Sequence, residues 1–156
     1  MARIEHFNNP NAPKPNSIVV AVTVFVQDEQ GRVLLIQRTD NGLWALPGGA
    51  QDFGEYIAET AVRETREETG VEVEVADMVG IYSNPNHVVE YSDGEVRQQF
   101  SICLKGRYLG GAPTTSDESS AVQWVARDEL GNLQIHPSMR LRIDHGFDRR
   151  AAPYIG

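Results

Sequence analysis

Gly48–Val71 reads GGAQDFGEYIAETAVRETREETGV, a glycine turn that runs straight into a segment of helical period. Ala58, Ala61, Val62 and Thr65 fall on one stripe at three- and four-residue spacing, and Gly70 stands where a helix stops. At about 100° per residue, Glu64, Glu67 and Glu68 lie within an arc of roughly 100° beside that stripe. Three carboxylates therefore project from adjacent turns toward one point. Left alone, each like-charged pair costs the helix about 0.2–0.5 kcal/mol. Arg63 and Arg66 supply part of the neutralisation, as on any solvated acidic face. A hard divalent cation completes it, because Mg²⁺ takes oxygen ligands from carboxylates and substrate phosphates.

The turn before the helix weighs toward the cation. LPGGAQDFGE places Pro47, Gly48, Gly49 and Gly54 there, so the backbone can bend sharply and present a carbonyl to such an ion. Together these residues resemble the signature of the Nudix hydrolases: Gly, five residues, Glu, seven residues, Arg-Glu, an aliphatic, any residue, Glu-Glu, any residue, Gly, an aliphatic. Gly49, Glu55, Arg63, Glu64, Thr65, Glu67, Glu68, Gly70 and Val71 occupy those places, and only Thr65 departs. Its methyl fills part of an aliphatic's volume on the packing stripe while its hydroxyl bonds back to a carbonyl, so the departure touches packing and not ligands.

The resemblance implies an α/β fold, the Nudix-type α/β/α sandwich around a mixed β-sheet. It implies Mg²⁺ or Mn²⁺ held by Glu64, Glu67, Glu68 and the Gly48 carbonyl, with Glu64 as general base or bridging ligand and Arg63 orienting a carboxylate. Glu118, six residues before Trp124, is where such enzymes carry a further metal-binding or base carboxylate; as a residue alone it reads equally as a solvated loop acid, with Asp117 as its neighbour. The reaction implied is cleavage of a nucleoside diphosphate linked to another group. Pro85 lies where ADP-ribose pyrophosphatases of the family carry a proline, which tilts the expectation to ADP-ribose. A sanitiser of oxidised or noncanonical nucleoside triphosphates would share every metal ligand. A non-catalytic nucleotide-binding sensor is the alternative of another class, disfavoured because all three helix carboxylates are present.

The chain of 156 residues, 40% hydrophobic and 23% charged, suits one domain with a substantial core. A formal net charge of −8 argues against a nucleic-acid polymer as partner and leaves a small phosphorylated nucleotide, reached through cations and local arginines. The longest apolar run, Ile18–Val26, is too short for a bilayer, so no membrane is expected. With no leader pattern and one cysteine, Cys103, among strand-like neighbours, the expected compartment is the cytoplasm. A homodimer is expected from the resemblance alone, its interface drawn from the first sixteen residues.

In chain order, residues 1–16 show no period and are expected as a flexible arm, residues 17–147 as the domain, and 148–156 as a tail. Ser17–Gln27 is nearly continuous apolar sequence, a strand covered on both faces, and Arg32–Arg38 returns as its hairpin partner around Gly31. Arg38 either reaches a substrate phosphate or pairs with a surface acid; Trp44 either stacks a base or packs; Gly49 borders the substrate. Glu72–Tyr82 reads as a strand bulged near Ala76–Met78, and strands follow at His87–Tyr91, Glu95–Arg107 and AVQWV. Pro137–Asp144 opens a terminal helix. His6, His87, His136 and His145 lack paired ligand spacing, so no zinc is assigned; His87 or His136 could line a pocket, but a surface or turn residue is the simpler reading.

Overall fold

The computed structural model describes residues 3–156, so Met1 and Ala2 of the expected arm lie outside the described residues. The elements are β1 (Arg3–Phe7), β2 (Ser17–Gln27), β3 (Val33–Arg38), β4 (Trp44–Ala45), β5 (Gly48–Ala50), α1 (Ile57–Thr69), β6 (Glu72–Tyr82), β7 (His87–Tyr91), β8 (Val96–Gly110), β9 (Ser119–Val125), a 3-10 turn at Arg127–Asn132, α2 (Pro137–Asp148) and β10 (Tyr154–Ile155). They form the mixed, curled sheet with helices of an α/β/α sandwich.

β2 and β8 run parallel along the sheet's centre, paired from Ser17–Arg97 to Gln27–Arg107. β8 carries β7 and β6 on its far edge, and β6 shifts register between Val75 and Asp77, the bulge expected there. Side chains of β2 alternate between two buried layers, because a strand sends successive side chains to opposite faces. Val22, Val24 and Val26 pack with Leu34, Val73 and Ala61 on the α1 side. Phe25 packs with Leu35, Cys103, Leu130 and Ile143 on the α2 side. A continuously apolar strand thus belongs in the middle of three layers.

The expected β2–β3 hairpin is corrected: the two strands pair only at Gln27–Val33 and then diverge. β5 takes the place beside β2, with Thr23 opposite Gly48 and Ala21 opposite Ala50, while β3 pairs with β9 and β4. The short return strand cannot follow β2 along its length, and the parting leaves a cleft at the sheet's waist.

Both termini differ from the expected arm and tail. Arg3–Phe7 is a strand, antiparallel to β7 from Arg3–Tyr91 to Phe7–His87. Tyr154 and Ile155 pair in parallel with Gly80 and Ile81, and Tyr154 stacks on Tyr82 at 5.1 Å. Each pairing joins residues more than seventy positions apart, and local periodicity carries no trace of such closure.

Candidate active site

α1 starts where the Glu59 carboxylate accepts the Tyr56 N–H at 2.9 Å and stops at Gly70, whose φ of 74° returns its N–H to the Arg66 carbonyl. Thr65 is fully buried and donates its hydroxyl to the Ala61 carbonyl at 2.7 Å, as the sequence suggested. The packing stripe is Thr60, Ala61, Thr65 and Thr69; Ala58, expected on it, is exposed. That rotation turns Glu68 inward.

Glu68 is only 4% exposed, and its carboxylate accepts the Gly48 N–H at 2.9 Å. No Lys, Arg or His stands within ion-pair distance of it among the described residues. Burial, with the neighbouring charges of Glu64 and Glu118, pushes its pKa up to about 8 against the opposing Gly48 bond and Arg38 charge. Glu64 lies against Gly49 so closely that a Cβ there would sit on the carboxylate, which only glycine permits. Burial raises the Glu64 pKa, with Glu67 and Glu118 adding to the rise and Arg63 opposing it. Glu67, expected to join them, stands 59% exposed and is not among the residues that line the cavity.

Arg63 ties this wall together. Its guanidinium grips the Glu55 carboxylate by two bonds of 2.7 and 3.0 Å and donates to the Ala50 carbonyl, Glu64 at 3.0 Å and Glu67 at 3.3 Å. The bond from Arg63, with the Asp52 N–H, holds Glu55 down at about 2. Glu55 is thus the anchor for Arg63. Ser119 fastens the following loop by donating to the Glu68 carbonyl at 3.0 Å, which brings Glu118 across from α1. Glu118 lines the same cavity, while Asp117 accepts the Thr39 hydroxyl through its backbone carbonyl.

The cavity holds about 490 Å³ and has Gly48, Gly49, Glu64, Glu68 and Glu118 at one end. Arg38 and Trp44 line it as well. Arg38 is bound bidentate to Asp40 at 2.6 and 2.9 Å, and Trp44 packs its ring against the α2-side core, so each performs the bland role while bordering the space.

The other end was foreshadowed in the sequence only by the pocket-lining alternative for His87 and His136. Arg3 and Glu5 of β1, His87 of β7 and His136 before α2 converge there. His87 is buried, which corrects the surface reading; its Nε2 meets Glu5 Oε1 at 2.5 Å, and the His87 and His136 rings stack at 4.9 Å. The ligand atoms of Glu5, His87 and His136 lie within 4.8 Å of one another. They form a hydrogen-bonded network, because two atoms about 2 Å from one tetrahedral ion stand farther apart than that 2.5 Å contact. His136 also spends its Nδ1 on the Ser138 N–H at the start of α2.

Residues 18–145 match the NUDIX domain family. The chain belongs to the Nudix family. An ADP-ribose pyrophosphatase of Methanocaldococcus jannaschii is 42% identical over 126 residues, covering 76% of this chain and 63% of its own. A Bacillus subtilis protein, named provisionally an 8-oxo-dGTP diphosphatase, is 35% identical over 122 residues, 78% of this chain and 74% of that one. Among solved structures, an ADP-ribose pyrophosphatase from Streptococcus suis superposes with a TM-score of 0.68 at 23% identity, over 88% of this chain and 96% of that one, a likeness of fold. The protein is a Nudix pyrophosphohydrolase, and Nudix hydrolases use divalent cations. Its donor set fits one: all oxygen, mutually repelling, with a buried carboxylate that the chain itself leaves without a cation. Among the described residues, no helix is long and apolar enough to cross a membrane.

Proposed function

We propose that this Nudix hydrolase cleaves the phosphoanhydride of a nucleoside diphosphate linked to another moiety, with ADP-ribose as the first substrate to test. The observation that carries the reading is the buried, cation-free Glu68 beside Glu64 and Glu118, at one end of a cavity of about 490 Å³ with the Gly48–Ala50 backbone as its wall. That volume lies in the range of small-molecule sites. The 42% identity to an ADP-ribose pyrophosphatase and Pro85 support the choice of substrate.

Glu64, Glu67, Glu68, Glu118 and the Gly48 carbonyl would hold Mg²⁺ or Mn²⁺. Such an ion would supply Lewis acidity, drawing charge from the phosphoryl oxygens and lowering the pKa of the attacking water. Glu64, its pKa raised by burial, receives the water's proton as general base. Arg63 keeps Glu64 and Glu67 aimed by charge-assisted bonds, and Gly49 lets Glu64 lie against the wall. Arg38 and Trp44 border the substrate farther along the cavity.

The test is a panel of ADP-ribose, other nucleotide sugars, dinucleoside polyphosphates and oxidised nucleoside triphosphates with magnesium, ranked by kcat/KM. ADP-ribose leading is the expected result. An oxidised triphosphate leading would establish the second reading, which the similarity to the Bacillus subtilis protein favours. No turnover of any of them would remove both. A cytoplasmic location and a homodimer stay part of the proposal, checked by fractionation and by sedimentation of the purified chain.

A further inference from the structure

Three buried side-chain atoms find no hydrogen-bond partner among the described residues: Thr23 Oγ1, Ser101 Oγ and Arg142 Nε. All three residues line the one cavity that holds Glu64 and Glu68. They come from β2, β8 and α2.

Arg142 is the unusual member. It is 6% exposed, and among the described residues no carboxylate lies within ion-pair distance. The other arginines bordering the cavity are paired: Arg3 and Arg38 with Asp40, Arg97 with Glu95. Arg142 has the Met139 sulfur at 3.9 Å and the face of Tyr82 at 5.2 Å, contacts that offset little of the cost of an uncompensated buried charge. An apolar residue would satisfy the stripe formed by Met139, Ile143 and Gly146 on which Arg142 sits.

The sheet register sets the distance to the carboxylate end. Ala50, Ala21 and Ser101 are successive partners on β5, β2 and β8, so Ser101 stands two strand spacings, about 10 Å, from the glycine strand. Thr23 lies between, opposite Gly48. Ser101 pairs Ala21, so its side chain shares a sheet face with Thr23, and Arg142 lies over Tyr82, the partner of Ser101 on β6. A guanidinium and two hydroxyls drawn from three elements suit a tetrahedral oxyanion better than a planar one.

We propose that Arg142, Ser101 and Thr23 form a subsite for a phosphate monoester carried by the substrate about 10 Å from the anhydride that is cleaved. This rests on the reading of the cavity as the substrate site. The preferred substrate is then a nucleoside diphosphate compound bearing an additional phosphate.

The first experiment needs no catalysis. With chelator present and metal absent, millimolar inorganic phosphate should raise the Tm of the wild-type chain by several degrees and leave that of R142M unmoved. R142M without phosphate should melt no lower than wild type, since it removes an unpaired buried charge. S101A, which keeps the arginine, should show a reduced shift, and it decides the matter if R142M does not fold. Equal shifts in wild type and variant, or none in wild type, overturn the subsite. The second experiment compares kcat/KM for 2′-phospho-ADP-ribose and ADP-ribose. Their ratio should exceed one in wild type and fall at least tenfold in R142M. An unchanged ratio beside a phosphate-dependent Tm would mean an adventitious ion only. A larger gain from a carboxylate-bearing analogue would overturn the choice of phosphate. Should neither compound be cleaved while the R142M-sensitive Tm shift persists, the ADP-ribose reading fails and the phosphate subsite stands.

Discussion

The carboxylate end of the cavity and its histidine–arginine end are both charged and recessed, yet they are built in opposite ways. Gly48, Gly49, Glu64 and Glu68 come from one short span, arranged by a turn and a helix. Glu5, His87, Ser101, His136 and Arg142 come from five separate elements or loops and meet only because β1, β7, β8 and the start of α2 are folded together. Charges at the first end repel one another and leave Glu68 without a cation of the chain's own. At the second end Glu5 is satisfied by His87, His136 and Arg3, while Arg142 has no ion-pair partner among the described residues. The contrast separates carboxylates that repel one another from a network whose acid is satisfied within the chain.

The widest gap between the ends should appear in turnover. E64Q and E68Q, which keep shape and remove charge, are expected to lower kcat by about 10²–10³-fold, whereas E5Q should cost no more than a few-fold. Steady-state kinetics with saturating magnesium checks this; comparable losses at both ends would erase the distinction. G49A comes next. Its Cβ would displace the Glu64 carboxylate, and a misplaced reacting group costs on the order of 10²-fold. Near-normal kcat in a folded G49A would mean that Glu64 does not work from where it lies.

A smaller effect belongs to acid stability. Burial would raise the Glu5 pKa, but the bond from His87 and the charges of His136, His87 and Arg3 bring it down to about 2 from an ordinary 4.5. A carboxylate with a depressed folded pKa contributes stability above its unfolded value and loses it as pH falls through the folded one. The loss therefore runs from about pH 4.5 to about 2. Burial lowers the His136 pKa below its ordinary 6.5, so stability also declines as pH falls past that value. Acid titration by circular dichroism should show E5Q less stable near neutrality and flatter between pH 4.5 and 2 than wild type. Parallel curves would remove Glu5 from the network's energetics.

The smallest expected change is T65V on the helix of the first end. Thr65 is buried and its hydroxyl bonds only to the Ala61 carbonyl, a helix acceptor that already has a partner in its own turn. Val restores the aliphatic of the family pattern and should alter stability by less than about 1 kcal/mol, with kcat unchanged. Chemical denaturation measures it.

The elements most readily seen in the sequence were those with their own period. Ser17–Gln27 announces a strand buried on both faces, which holds for Val22–Val26 while Ile18 stays exposed, and Ile57–Thr69 announces a helix with a glycine stop. The bulge in Glu72–Tyr82 was visible as broken alternation. Strands β1 and β10 were not, because five and two residues carry too little pattern and their partners lie far off in the chain. His87 looked like a turn residue beside SNPNH and proved buried under β1. Arg142 left one trace, a charge at an apolar stripe position of PSMRLRID, which alternation alone cannot tell from an exposed arginine.

By itself the sequence determined the family, the three-layer fold and the helix that carries the carboxylates, because spacing along a helix or strand dictates which face each side chain takes. Tertiary structure alone decided the divergence of β2 and β3 that opens the cavity, the capture of both termini as strands, and the meeting of Arg142, Ser101 and Thr23. Those depend on strand register and layer packing between distant residues, and such contacts are settled only when the whole chain closes around its core.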